Sequence, residues 1–352
     1  MMAGVSGPRP MRQITTAGAL TAVAGTALFV WLVYKVGLHE IWTGFQKIGW
    51  GLALIVALGG LRFAARAAAW KLCVEPPYTL GFATAFTAVV CGDAVGNVTP
   101  LGPLASEPTK IACVRNRIPI GPALTALAIE NVIYTLSVGA MIAAGAAALL
   151  MSVELPLQLR EFSQGAIGAI AVMFVVAAWV LWRRPAVVTT LLPVAKLAGS
   201  RIDKLRAVER EVLTFASRRR QTIVPLVVLE LSFHALGVIE KHLTLWLILG
   251  AAPPLLYSFI VETADRLITV AFKFLPFQIG VGEAGTGVIT QLLGLDSSAS
   301  VPITGVTVSI VRKARMGIWS LIGTALLVKR GLAPGAVLAD PSFSPNTSRS
   351  DS

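Results

Sequence analysis

Residues 97–107 read Asn97-Val98-Thr99-Pro100-Leu101-Gly102-Pro103-Leu104-Ala105-Ser106-Glu107, and residues 273–283 read Lys273-Phe274-Leu275-Pro276-Phe277-Gln278-Ile279-Gly280-Val281-Gly282-Glu283. Each stretch breaks an apolar run with a proline, continues through small residues, and reaches a glutamate seven positions past the proline. The two prolines stand 176 residues apart, and so do the two glutamates. Paired interruptions of hydrophobic helices mark membrane proteins that handle a polar group near the bilayer midplane.

The surrounding chain fits that reading. Of its 352 residues 55% are hydrophobic and 14% charged, with a mean hydropathy of +0.75. A soluble domain carries about a quarter charged residues. The apolar runs are long and continuous rather than alternating, so the fold expected is all-α and polytopic, not a membrane barrel. Full crossings are predicted at Ile14–Tyr34, Trp50–Trp70, Pro122–Met151, Gly165–Trp182, Ile223–Gly250 and Pro302–Val328. Gly81–Val98 and Tyr257–Leu275 also enter the membrane, and each leads into one of the breaks. Ile14–Tyr34 is longer than the apolar core of a cleavable signal and is read as a retained helix.

The net charge of +12 is concentrated in connecting segments, which points to membrane sidedness and anionic lipid rather than nucleic acid. Between Arg183 and Arg220 lie ten Lys or Arg residues against three acids, so this loop is predicted to be cytoplasmic. Its Ile202, Leu205, Val208, Val212 and Phe215 follow helical spacing, as in an interfacial amphipathic helix or a loop helix packed on the protein. Counting outward from this loop, Arg9, Arg12, Lys71, Lys110, Arg115, Arg117, Lys329 and Arg330 are all cytoplasmic only if both broken segments return to the side they came from. That gives six crossings, two re-entrant hairpins of opposite sense, cytoplasmic termini and a pseudo-symmetric inverted repeat. Ordinary crossings at both breaks are the alternative, with parallel repeats and an external N-terminus.

Charges inside apolar spans are costly, about 2.5–3.5 kcal/mol each on the insertion scale, so the few present should face inward. Arg62 and Arg66 are four apart, as are Asp93 and Asn97. Glu130 follows the first break; Glu262, Asp265 and Arg266 precede the second; Glu230, His234 and Lys241 share one stripe; Arg312, Lys313 and Arg315 sit in the last span. Groups from so many segments can enclose a lipid head group, with arginine suited to phosphate oxygens. A helix restarting after a Pro/Gly break also offers free N–H groups to an anion, which Ala105–Thr109 and Gly280–Gly285 are placed to do.

Ion pairing alone is the plainer reading for any one of these charges. Three histidines give no metal set, no cofactor motif is visible, and there is no GxSxG, P-loop or HExxH. Cys73, Cys91 and Cys113 read as small apolar residues.

The segments NVTPLGPLASEPTK, ALTALAIENVIYTLSVG, ETADRLITVAFKFLPFQIGVGEAGTGVI and VRKARMGIWSLIG together resemble the lysylphosphatidylglycerol synthase transmembrane-region family, also called the flippase-like domain. The resemblance covers roughly residues 14–330. It implies a membrane domain over 14–330; the charge count makes segment 1–13 cytoplasmic, and the polar, Ser- and Pro-rich composition makes the tail 331–352 disordered. The family's first signature matches Asn97, Pro100, Gly102, Glu107 and Lys110; its second matches Pro276, Gly280, Gly282 and Glu283; its arginine-rich last helix matches Arg312, Lys313 and Arg315. The Glu-Arg pair of the family appears here as Glu130–Asn131, and Pro103 and Ser106 stand where relatives carry glycines.

The resemblance implies a bacterial inner-membrane protein that moves a phospholipid or hopanoid-type lipid between leaflets, without the aminoacyltransferase domain of its larger relatives. The expected head-group cavity comprises Arg62, Arg66, Asn97, Pro100, Glu107, Lys110, Glu130, Glu262, Arg266, Pro276, Gly280, Gly282, Glu283, Arg312 and Arg315. The second break, richer in glycine, is expected to make the direct contact. An accessory subunit working beside lipid-biosynthesis enzymes, or a lipid head-group enzyme using Glu107 or Glu283, are the other readings.

Overall fold

Prolines set where several helices begin. In the computed structural model, which describes residues 42–43, 46–99, 102–183, 210–215, 217–273, 275–296 and 302–330, Pro119, Pro156, Pro254 and Pro302 each stand directly before a helix. Proline suits that position because the N–H it lacks would have no partner in the first turn. The helices are α1 (Gly51–Cys73), α2 (Phe82–Val98), α3 (Gly102–Val114), α4 (Ile120–Ser152), α5 (Leu157–Arg183), α6 (Arg220–Leu249), α7 (Leu255–Ala271), α8 (Val281–Leu292) and α9 (Ile303–Lys329). A single 3₁₀ turn, Pro276–Gln278, lies between α7 and α8.

The protein is all-α, and four of its helices, α1, α4, α5 and α6, are long and apolar enough to cross a membrane. Helix α9 is 27 residues long but carries Arg312, Lys313 and Arg315 in its interior. The predicted crossing Ile14–Tyr34, residues 1–13 and 331–352, Pro100 and most of the basic loop 183–220 lie outside the described residues. Of that loop, residues 210–215 are helical, and Phe215 is buried in the bundle core beside Val212.

Helix α5 starts eight residues before the predicted Gly165, because Pro156 initiates it ahead of the apolar run. Helix α7 ends at Ala271 although the apolar run continues to Leu275. Pro276 has no N–H for a helical bond and disfavours helical geometry at the residue before it.

Both broken segments are antiparallel helical hairpins. A Cβ on Gly96 would meet Ser106 and the Gly102 carbonyl, and one on Gly92 would meet Lys110. In the second hairpin Thr286 donates to Asp265 (2.6 Å), and Gly285 packs on Ile268.

The hairpins open at opposite ends of the bundle. At one end the last turns of α1 and α3 and the first turns of α2, α4 and α6 share an apolar cluster with Trp70, Leu80, Val114, Ala123 and Leu226. Arg330 at the end of α9 donates to the Cys113 carbonyl there (3.2 Å), and Arg218 pairs with Glu75. At the other end Ile48 and Ile55 pack with Leu149, Ile248, Ile260, Leu293 and Val308, joining the start of α1 to the ends of α4, α6 and α8 and the starts of α7 and α9. Helices α1 and α6 run antiparallel through the middle: Gly51 lies against Leu247, while Arg62 bonds Glu240. The charged residues lie between the two apolar layers.

Candidate functional site

Helix α1 places Arg62 and Arg66 one turn apart, so both reach the same side of the bundle. Each guanidinium is held from behind by carboxylates. Arg62 bonds Glu240 (3.0 Å) and Glu262 (3.4 Å); Arg66 bonds Glu130 through Nε (2.6 Å). Arg266 reaches back one turn to Glu262 (3.0 Å), and Arg315 bonds Glu240 (2.9 Å). Asp265 accepts from Lys241 and from Thr286, with Arg312 Nε at 3.9 Å.

These pairs hold Arg62, Arg66, Arg266 and Arg315 around a shared, partly open space. That cavity measures about 250 Å³. Its walls come from α1, α2, α3, α4, α6, α7, α9 and the second break, and they bring together Arg62, Arg66, Asn97, Glu107, Lys110, Glu262, Arg266, Arg312 and Arg315 from the expected set. Seven basic side chains line it against four acidic ones, and Glu130 and Glu240 pair with three of the arginines from outside the lining. Lys273 is exposed and has no hydrogen-bond or ion-pair partner among the described residues. Aromatic faces complete the arginine side: the Phe233 ring lies 4.7 Å from the Arg62 guanidinium carbon and 4.9 Å from that of Arg266, and Tyr134 lies 3.7 Å from that of Arg66. Such stacking holds the guanidinium without consuming its N–H donors.

The first break faces this cavity with Gly96, Asn97, Gly102, Ser106 and Glu107. Glu107 accepts from Lys110 (2.9 Å) and Asn131 (3.1 Å), and its side chain is 32% exposed. Asn97 donates to Asp93 (2.8 Å). The second break lines the cavity with Lys273, Leu275 and Gln278. Phe277 and Gln278 have φ of 52° and 47°, left-handed geometry that non-glycine residues adopt at a cost. Lys313 Nζ donates to the Gln278 carbonyl (3.3 Å), and Arg312 donates to its side chain (3.4 Å), so α9 holds this turn in place.

Gly280, Gly282 and Glu283 do not line the cavity. Glu283 is fully buried, pairs with Lys313 and accepts from the Gly280 N–H (2.9 Å). Glu283 thus caps the Gly280 N–H ahead of α8, while the first break lines the cavity with Gly102, Ser106 and Glu107 at the start of α3. Glu130 lies beneath the lining, bound to Arg66. Pro100 falls outside the described residues, and Pro276 opens the 3₁₀ turn. Glu240, Tyr134, Phe233, Gln278 and Trp319 were not anticipated as part of the site. The Glu240–Lys241 dipeptide inside an apolar span was a legible signal for the first; the aromatic residues looked like ordinary core.

The fold and the chamber define a polytopic α-helical membrane protein with a basic cavity enclosed between two apolar layers. The chain belongs to the lysylphosphatidylglycerol synthase TM region family, whose model matches residues 17–310. No curated protein and no solved structure matches it. The match is to a membrane region, not to a catalytic domain. Among the described residues no group of three or more His, Cys, Asp or Glu side chains is placed to hold a metal ion.

Proposed function

We propose that this flippase-like domain moves an amphipathic lipid with an anionic, phosphate-bearing head group between leaflets. The head group occupies the chamber while the acyl chains stay in the bilayer. The observation that carries this reading is the seven-to-four excess of basic over acidic side chains lining one cavity, with Arg62, Arg66 and Arg266 fixed around it. A pre-oriented guanidinium binds phosphate oxygens at little further entropic cost. Lys273 supplies a cation not already paired, and Glu107 gates the first break by exchanging its hold on Lys110.

The membrane topology that goes with this is six crossings with two re-entrant hairpins in an inverted repeat. Three observations support it. The hairpins open at opposite ends of the bundle. Helices α1 and α6, which hold matching places in the two halves, pack antiparallel. Lys71, Arg115, Arg117, Arg218, Lys329 and Arg330 gather at the end where the first hairpin opens, and the positive-inside bias favours a reading in which that end and both termini face the cytoplasm of a bacterial cell.

The test is reconstitution. In vesicles holding head-group-labelled phosphatidylglycerol, the protein should speed access of inner-leaflet label to an impermeant quencher. Arg266→Gln should slow it by about tenfold or more, the effect of losing roughly 1.4 kcal/mol of head-group interaction. No acceleration by the folded wild-type protein with any anionic lipid would end this reading; acceleration only with a neutral hopanoid-type lipid would redirect it.

A further inference from the structure

Glu230 is a buried acid that does not line the chamber. It is 1% exposed, and neither of its carboxyl oxygens has a hydrogen-bond partner. One turn further along α6, His234 has its Nε2 2.9 Å from Ser137 Oγ and its Nδ1 buried without a partner. The charged groups near enough to act on Glu230 are Arg66 of α1 and Glu130 of α4; Cys73 of α1 and Tyr134 of α4 are the titratable groups that feel it in return. Helices α7 and α9 bring Glu262, Asp265 and Arg315 to α6 at Gly237, Glu240 and Lys241, about two turns or more away.

Two buried carboxyls thus act on one guanidinium. Only Glu130, itself 1% exposed, is bonded to it. A buried carboxylate that makes no ion-pair contact and no hydrogen bond is less stable inside a membrane protein than its neutral acid. Arg66 is the member of this trio that also faces the chamber.

We propose that Glu130 and Glu230 form a proton-binding site linked through Arg66 to head-group occupancy. It rests on the head-group reading given above. With the chamber empty, Glu230 carries a proton and Glu130 is ionised against Arg66. A head-group phosphate that engages Arg66 draws the guanidinium away from Glu130. Glu130 then binds one proton taken up from water, forming an O–H bond, and no bond of the lipid changes. Departure of the head group returns Arg66 to Glu130 and releases the proton. His234 and Ser137 give the proton polar stepping points beside Glu230. A singly charged head group and a proton move together as a neutral pair, so a pH gradient, rather than membrane voltage, biases the direction.

Infrared spectroscopy of the purified full-length protein, with the phosphodiester glycerophosphoglycerol as the soluble, singly charged probe, tests this in two stages. Without probe at neutral pH, the wild type should show a protonated-carboxyl band that Glu230→Gln removes and Glu130→Gln keeps. With probe, a second band should appear that Glu130→Gln removes, and a pH dye in weak buffer should report uptake of one proton per probe bound. Absence of any Glu230-dependent band overturns the proposal, whether or not the probe binds. Binding of the probe without the second band and without proton uptake overturns the linkage and leaves the head-group reading intact. A Glu230 band with no binding of any anionic probe overturns the head-group reading and the linkage with it. Glu230→Gln has the size and neutrality of the acid it replaces, so loss of the band in a folded variant is read directly.

Discussion

Glu107 and Glu283 stand at matching places in the sequence and meet different surroundings. Glu107 lies partly exposed on the chamber wall, shared between Lys110 and Asn131. Glu283 is fully buried between Lys313 and the Gly280 N–H. Removing one partner of a buried pair leaves the other uncompensated, at about 3–5 kcal/mol. Glu283→Gln should therefore lower thermal stability in detergent strongly, and adding Lys313→Met should restore much of the loss. A double variant no more stable than the single one would mean the pair is not what Glu283 is for. Glu107→Gln should leave the melting temperature within a few degrees and slow lipid movement instead. The sequence showed that two glutamates matched, but burial is a property of what packs around them. The same limit hid Phe233 and Tyr134, since an aromatic residue under an arginine and one in an apolar core look alike in a row of letters.

At the scale of elements, the two breaks are built by different means. In the first, a Cβ on Gly102 would come within 2.4 Å of the Gly96 carbonyl oxygen, so the hairpin closes only because that side chain is absent. In the second, Gly280 has φ of 83° and Phe277 and Gln278 are also left-handed. Gly280→Ala should cost about 1–2 kcal/mol, the penalty of left-handed geometry for an L-residue. Gly102→Ala should cost about 1–3 kcal/mol through overpacking. Thermal melts compare the two, and Gly102→Ala should also shrink the chamber and weaken anionic-probe binding, because Gly102 lines it and Gly280 does not. Most helix limits were legible beforehand, since proline, glycine and the ends of apolar runs are local signals. The early start of α5 and the early end of α7 were not, because in both cases a proline overrode the hydrophobic pattern.

For the whole molecule, packing between the halves carries the argument that spacing began. Helix α2 packs on α9, where Cys91 donates to the Gly323 carbonyl (3.5 Å), and α7 packs on α4, where Gly145 lies against Thr263. In a register of 176 residues these two contacts exchange places, and α1–α6 maps onto itself. Under the proposed inverted repeat, matching helices that pack antiparallel are related by a pseudo-two-fold axis across the helices, whereas parallel repeats would need one along them. Cysteine labelling from each side of sealed vesicles decides the matter. In a background with the native cysteines replaced, Thr79→Cys and Asn116→Cys, before α2 and after α3, should label from the cytoplasmic side. Ala252→Cys, before α7, and Ser298→Cys, between α8 and α9 in sequence, should label from the opposite side. Were the first hairpin an ordinary crossing, positions 79 and 116 would label from opposite faces. The pattern of four also fixes which way each hairpin enters, because the basic loop ends of α1, α3 and α9 must then share the side on which Thr79 is labelled.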